Sequence, residues 1–108
     1  MEDTTNEIIN LGDKIELSGF KVISSGEMII VRKIVGSQVR KFQEFIPDFE
    51  RLSIHLKPVH KTEQHMKFEL HANLIHAGKP TNTETTNRNL FMGLSELFSN
   101  FESMLNKK

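Results

Sequence analysis

The apolar residues of this chain change their spacing from segment to segment, and this change of period restricts the possible folds more than any other feature. Between residues 26 and 46 they recur on one side at about 100° per residue, which predicts an amphipathic helix that Pro47 ends. The apolar side of this helix consists of Met28, Val31, Ile34, Val35, Val39, Phe42, Phe45 and Ile46. A second helix is predicted over residues 89–106, where Leu and Phe side chains form one wide apolar face.

Three other segments, residues 14–23, 50–59 and 66–74, alternate apolar and polar residues with a period of two, which predicts strands with one buried side. A fourth strand is predicted over residues 81–87, where Thr81, Thr83 and Thr85 alternate weakly with more polar residues, because threonine favours strands. Gly19 interrupts the first segment and suggests a bulge, since glycine inside a strand pattern often marks one. A loop is predicted over residues 58–64 and a turn over residues 77–80.

The order of these elements is β-α-β-β-β-α, which predicts a single α+β domain. Since strands and helices each have one apolar side, the economical packing places both helices on one face of a four-stranded sheet and leaves the other face to solvent. The first two strands are joined through a helix and are expected to run parallel if they are neighbours. Residues 1–13 are polar and acidic, so we expect a flexible leader there, followed by the folded domain over residues 14–108.

The charge balance gives no global preference for nucleic acid or membrane, because the chain has 14 Lys and Arg against 14 Asp and Glu. The first 13 residues hold four of the acids and no base, which leaves 14 bases against ten acids in the remainder. The chain has no cysteine, so disulfides, thiolate nucleophiles and cysteine metal sites are excluded. It lacks an apolar run of membrane-spanning length, and its acidic N-terminus is unlike a signal peptide, so we expect a cytoplasmic, bacterial protein.

Cationic residues are concentrated on the polar side of the first predicted helix. Lys33 and Arg40 are seven residues apart, which places them two turns apart on one side, and Arg32 and Lys41 flank them. Such a row can contact successive phosphates of a nucleic acid, and arginine can do so with two hydrogen bonds. The alternative is an ordinary solvated helix face, which nearly always contains Lys and Arg.

No known catalytic or metal-binding motif occurs in the sequence, and we expect neither an enzyme nor a bound cofactor or metal. His55 and His71 lie on the polar sides of two strands and are candidates for cross-strand neighbours. Glu69 beside His71, and Ser53 near His55, are the only candidates for acid–base or nucleophilic chemistry. All eight aromatic residues are phenylalanine, and seven lie on predicted core faces, so an exposed platform for stacking bases is not expected.

Three stretches, within residues 14–108, together resemble one bacterial family. They are Leu17-Ser18-Gly19 with Val22, then Leu52-Ser53-Ile54-His55-Leu56, and the part from Phe68 to Lys108. The last stretch has a strand, a glycine-containing turn, a short polar strand and a Leu/Phe-rich helix that ends in lysines. In these features the chain resembles the ribosome hibernation promoting factors, which include the ribosome-associated inhibitors and the proteins formerly called sigma-54 modulation proteins. It resembles their short form, without the C-terminal dimerisation domain of the long form.

The resemblance implies a non-enzymatic protein that binds the decoding region of the small ribosomal subunit. Family members overlap the path of messenger and transfer RNA there, which blocks translation and stores idle ribosomes in stationary phase or under stress. Their RNA contacts are mostly Lys and Arg on exposed helix faces. The residues that we expect to bind ribosomal RNA here are Arg32, Lys33, Arg40, Lys41, Arg51, Lys57, Arg88, Lys107 and Lys108. We further expect a monomer with no membrane or small-molecule partner.

A departure from the family pattern keeps two alternatives open. Family members usually have more Lys and Arg along the second helix, where this chain has Glu96, Asn100 and Ser103. The first alternative is a module of the same layout that binds double-stranded RNA elsewhere. The second is a protein-interaction domain that keeps the fold without ribosome binding, which the zero net charge and the neutral second helix favour.

Overall fold

Five strands and two α-helices make up the part of the chain that the computed structural model describes, residues 8–62 and 65–105. The elements in chain order are β1 (Ile8–Asn10), β2 (Ile15–Ser18), α1 (Ser25–Phe45), β3 (Phe49–Thr62), β4 (His65–His76), β5 (Lys79–Asn87) and α2 (Leu90–Leu105). A short 3-10 helix, Phe20–Val22, connects β2 to α1. The α+β class is confirmed, and both helices lie within one residue of their predicted bounds. Neither of these described helices is long and apolar enough to cross a membrane.

The strands form one mixed sheet in the order β1-β2-β3-β4-β5. β2 and β3 are parallel, as expected for strands joined through a helix, and the other neighbours are antiparallel. The sheet has five strands rather than the predicted four, because β1 lies within the segment predicted to be a flexible leader. Its Ile9 pairs with Leu17 and packs against the core. A strand of three residues is too short for a period of two to be visible in the sequence, and residues 1–7 lie outside the described residues.

Both helices cover one face of the sheet, as predicted, and the core lies between the two layers. Over residues 52–59 of β3 and 67–75 of β4, the even-numbered side chains face the helices and the odd-numbered ones face the opposite, open side. The buried residues are Ile15, Leu17, Phe20, Val31, Val35, Val39, Phe42, Ile46, Phe49, Leu52, Ile54, Leu56, Leu70, Ala72, Leu74, Leu90, Leu94, Leu97, Phe98 and Phe101. No polar or charged residue in the described ranges belongs to this core, so forming the core carries no cost of desolvating a polar side chain.

Local signals set the ends of the helices. Ser24 begins α1 with a capping box: its hydroxyl oxygen accepts a hydrogen bond from the Glu27 backbone N–H at 3.1 Å, and the Glu27 carboxylate accepts one from the Ser24 N–H at 2.8 Å. The helix ends at Phe45, two residues before Pro47, which cannot continue it. Asn89 caps α2, because its side-chain oxygen accepts a hydrogen bond from a backbone N–H of the first turn at 3.0 Å.

Two predicted strand boundaries are wrong. The first strand ends at Ser18 instead of continuing to residue 23, because Gly19 adopts a left-handed conformation (φ 79°) and the 3-10 helix follows. The predicted loop over residues 58–64 is part of β3 as far as Thr62. Pro58 lies within the ladder, in register with β4, so pairing with the neighbouring strand extends β3 beyond what its own sequence indicates.

The turn between β4 and β5 consists of two residues rather than the predicted four. Ala77 and Gly78 both have positive φ, at 52° and 72°. This combination belongs to a type I′ turn, whose twist matches that of the strands it joins. The Gly78 N–H donates a hydrogen bond to the Glu50 carboxylate at 2.9 Å, which ties the turn to the start of β3.

Replacing Gly19 by alanine is expected to destabilise the fold by more than the left-handed conformation alone accounts for. A Cβ at residue 19 would lie against the backbone carbonyl of Leu56, so that one of the two must move. Gly12 is the matched control, because it has nearly the same φ (80°) and no atom of a described residue lies within 4 Å of its Cβ position. We expect Gly12→Ala to lower the free energy of unfolding by about 1–2 kcal/mol and Gly19→Ala to lower it clearly more, as measured by urea denaturation. Equal losses would contradict the proposed clash.

Candidate nucleic-acid interface

The outward surface of α1 carries four cations. The valines on its inner side are buried, so the helical period turns the neighbouring residues outward. Arg32, Lys33, Arg40 and Lys41 are all exposed there, and we call them the cationic surface of α1. Within residues 8–62 and 65–105, none of the four forms an ion pair with a carboxylate. Their charge is therefore available to an anion from outside the protein.

The other predicted RNA contacts do not join this surface. Arg51 and Lys57 are odd-numbered residues of β3 and lie on the open face of the sheet, away from both helices. Arg51 is also paired, with its Nη2 2.6 Å from a carboxylate oxygen on β2. Arg88 is exposed between β5 and α2, and Lys107 and Lys108 lie outside the described residues. The structure thus divides the predicted set between two faces of the sheet.

The outer surface of α2 has a different character. Residues 90–105 contain no Lys or Arg. The Glu96 carboxylate accepts a hydrogen bond from the Thr85 hydroxyl at 2.6 Å, and the Asn100 amide donates one to the Thr83 hydroxyl at 3.0 Å. Both contacts hold α2 to β5. This surface is neutral to acidic, so it does not extend the cationic surface of α1.

A groove of about 450 Å³ runs between the two helices. It is lined by Ile34, Gln38, Lys41, Phe91, Ser95, Phe98, Ser99 and Glu102. The Gln38 amide donates a hydrogen bond to the Glu102 carboxylate at 2.9 Å, which joins the helices directly. Lys41 is the one cation that the groove shares with the cationic surface of α1, and the carboxylate of Glu102 faces the same space. A phosphate is therefore less favoured here than on the outward side of α1.

The open face of the sheet carries two rows of polar side chains that lie side by side because the strands pair in register. The first row is Glu16, Ser53, Asn73 and Asn82, and the second is Ser18, His55, His71 and Glu84. A concave groove of about 510 Å³ lies over these rows. Oδ1 of Asn73, in the middle of the first row, is buried and accepts no hydrogen bond from a described residue. The face is polar with charges of both signs, unlike the cationic surface of α1.

His55 and His71 are cross-strand neighbours, as predicted. The Nδ1 atom of His55 lies 2.9 Å from the hydroxyl oxygen of Ser18 on β2. Ser53, the candidate nucleophile near His55, lies with its hydroxyl 3.4 Å from the carboxylate of Glu16. In the described part of the chain no carboxylate contacts His55, so the serine and the histidine are not completed to a catalytic triad.

His71 lies between two carboxylates. Its Nδ1 is 3.0 Å from Glu84 on β5, and its Nε2 is 3.3 Å from Glu69 on its own strand. The Glu69–His71 proximity follows from their common strand side, whereas the contacts with Ser18 and Glu84 depend on the register of the sheet and have no local sequence signal. No group of three or more His, Asp or Glu side chains within the described ranges is arranged to hold a metal ion.

Comparison with known proteins shows that the fold of this chain is similar to that of a solved structure. No family model matches the sequence, and no curated protein matches it. Among solved structures, a ribosomal subunit interface protein from Coxiella burnetii is 16% identical, and the alignment covers 87% of this chain and 92% of that chain with a TM-score of 0.62. At this identity the likeness concerns the fold, and it extends over nearly the whole of both chains. The described domain therefore has the fold of that ribosomal subunit interface protein.

Proposed function

We propose that the protein binds the small ribosomal subunit through the cationic surface of α1 and inhibits translation by occupying the decoding region. The observation that carries this proposal is the set of four exposed cations on one helix with no carboxylate partner among the described residues. The similarity in fold to a ribosomal subunit interface protein supports it. Ribosomal RNA is the polyanion that such a surface would meet between ribosomal subunits.

Binding by this surface is electrostatic and depends on the phosphate backbone. Each Lys or Arg that meets a phosphate releases condensed counterions, and each arginine can make two hydrogen bonds to one phosphate. The phenylalanines of the described region are buried or half-buried, so bases have no exposed phenylalanine ring to stack on. We therefore expect an affinity that depends strongly on salt and weakly on the base sequence of the RNA.

Inhibition follows from competition for space rather than from chemistry. A capped and well-packed α1 presents its cations on a rigid element, so little conformational entropy is lost when they meet RNA. A domain seated in the decoding region would exclude messenger and transfer RNA from the same cleft. The proposed function implies a cytoplasmic bacterial protein that acts in proportion to the number of ribosomes, as a means of storing them in non-growing cells.

The main alternative is a protein-interaction domain of the same fold. The observation that favours it is the outer surface of α2, which has no Lys or Arg and uses Glu96 and Asn100 to hold the helix to β5. If the protein does bind ribosomal RNA, α1 is then the only one of the two helices that supplies cations for the contact. The two candidates differ in whether the protein associates with small subunits at low salt.

Sedimentation with purified small subunits tests the proposal. If the four cations of α1 each meet one phosphate, the association constant is expected to fall about 50- to 150-fold between 50 and 200 mM salt. Free protein and bound protein are separated by centrifugation through a sucrose cushion at each salt concentration. Prior loading of messenger and transfer RNA is expected to reduce binding, since the sites overlap. Absence of association at 50 mM salt would contradict the proposed function and leave the interaction domain as the better explanation.

A further inference from the structure

Two rows of residues along α1 share the same pattern. Residues four apart form one row along a helix, because they are neighbours on its surface. The first row is Arg32, Gly36 and Arg40, and the second is Lys33, Ser37 and Lys41. Each row has a cation at both ends and a small residue in the middle, and the two ends lie about 12 Å apart along the axis. The four cations thus surround a floor made of Gly36 and Ser37.

Packing within the protein does not explain the glycine at residue 36. It lies in the interior of a helix of 21 residues, where glycine is among the least favourable residues. A Cβ at this position would meet no atom of a described residue within 4 Å, and the residue does not have a positive φ. Gly93 in α2 is the contrast, because a Cβ there would lie 2.8 Å from the Leu70 side chain. Contact between α2 and the sheet explains Gly93, whereas Gly36 faces open space between cations.

We propose that Gly36 and Ser37 are the seat of an RNA phosphate group, with the cationic surface of α1 around it. This inference rests on the proposed function and specifies the contact. A phosphate over Gly36 can approach the helix more closely than a side chain would allow, so that cations from both ends of the rows reach it and its neighbours along the strand. The Ser37 hydroxyl can donate a hydrogen bond to a phosphate oxygen. The seat ends before Glu44, whose exposed carboxylate repels phosphate one turn beyond Arg40.

The dimensions and composition of the seat favour double-helical RNA. A free phosphate ion fills only the space over Gly36 and Ser37, whereas a nucleic-acid strand also places neighbouring phosphates beside the cations at the two ends of the rows, about 12 Å apart along the axis. A single strand gains much of its binding free energy from bases stacked on aromatic rings, and the described surface has no exposed phenylalanine. A duplex presents its phosphates at fixed positions to a rigid helix. Little conformational entropy is therefore lost when the RNA backbone binds the two rows of α1.

Substitutions at Gly36 test the seat, because stability and binding are expected to change in opposite directions. Gly36→Ala and Gly36→Leu both remove an unfavourable helix residue, and each is expected to raise Tm by about 4–8 °C. Gly36→Leu is nevertheless expected to weaken binding of a purified RNA duplex of about 16 base pairs by roughly tenfold, as loss of one charge-assisted hydrogen bond would do. Gly36→Ala should weaken it less, since its side chain is smaller. A purely structural role would not separate Tm from affinity in this way.

The matched control is Ser103→Leu, which adds similar bulk at an exposed position of α2 away from the seat. Its duplex affinity is expected to equal that of the unmodified protein. Two further probes identify the ligand: single-stranded oligouridine of equal charge, and vesicles of phosphatidylglycerol and phosphatidylcholine. We expect Gly36→Leu to weaken duplex binding more than binding to either of these.

Unchanged duplex affinity of Gly36→Leu, with a raised Tm, would overturn the seat. The proposed function would stand if the double variant Lys33→Glu with Arg40→Glu had a strongly reduced affinity for the small subunit. It would fail as well if that double variant bound the small subunit with unchanged affinity. Equal losses on duplex and vesicles would show a surface for anions in general and would also overturn an RNA seat. If Gly36→Leu does not fold, the Tm and the duplex affinity of Gly36→Ala decide instead: a raised Tm with unchanged affinity would overturn the seat.

Discussion

Lys33→Glu combined with Arg40→Glu is expected to weaken association with the small ribosomal subunit by at least about 100-fold at 0.1 M salt. The double change removes two charge-assisted contacts and places two carboxylates opposite phosphates. Both side chains are exposed and have no ion-pair partner in the described ranges, so the fold should keep its stability within about 0.5 kcal/mol. Sedimentation over a range of salt concentrations measures the effect. The slope of the logarithm of the association constant against the logarithm of the salt concentration should become shallower by about 1.4 to 1.8.

The control for this experiment is Lys14→Glu combined with Lys79→Glu. These two lysines are exposed, lie outside α1 and outside the predicted RNA contacts, and give the same change in net charge. We expect the control to weaken association only slightly, through the long-range field. Equal losses for the two double variants would mean that net charge rather than the α1 surface governs binding. Unchanged binding of Lys33→Glu with Arg40→Glu would exclude α1 as the contact.

The bounds of α1 could be predicted from the sequence because the interactions that set them are local. Ser24 and Glu27 exchange two hydrogen bonds within one turn, and Pro47 stops the helix two residues after its last residue. The alternation on β3 and β4 likewise predicted which side faces the helices. These signals require no knowledge of what lies across the sheet.

Strand pairing could not be predicted in the same way, because it depends on residues far apart in the chain. β1 has only three residues and exists through its pairing with β2. The hydrogen bond between Ser18 and His55 joins residues 37 apart, so no local pattern in the sequence indicates it. The extension of β3 through Pro58 also follows from its pairing with β4. In each case the register of the sheet, not local propensity, decides the contact.

The candidate interface was predicted in part. The helical period alone groups the four cations of α1 on one side. Arg51 and Lys57 flank the alternating Leu52 and Leu56, so the same alternation that predicts the strand also assigns them to the opposite face, and the sequence contained this signal. The role of Gly36 required the structure, because only the space around its Cβ position distinguishes it from Gly93, which packing explains.

Phe42→Ala is expected to cause a larger loss of stability than the substitutions at Gly12 and Gly19. The Phe42 side chain is fully buried, and its ring centroid lies between 5.9 and 6.4 Å from those of Phe45, Phe49, Phe98 and Phe101. It therefore joins α1, the start of β3 and α2 in one aromatic cluster. Removing it leaves a cavity and breaks these contacts, which should lower the free energy of unfolding by about 3–5 kcal/mol. A domain of this size has about 5–15 kcal/mol in total, so much of its stability would be lost.

Urea denaturation of Phe42→Ala and Phe42→Leu separates the cavity from the loss of the ring. Phe42→Leu retains most of the apolar volume and should cost less than half as much as Phe42→Ala. A loss below about 1 kcal/mol for Phe42→Ala would contradict the central position of this side chain in the core. Because Phe42 is fully buried, it cannot touch RNA, so the fraction of Phe42→Leu that stays folded should bind small subunits with unchanged affinity. Weakened binding by the folded fraction would mean that the packing of α1 against α2, and not only its surface charge, sets the geometry of the interface.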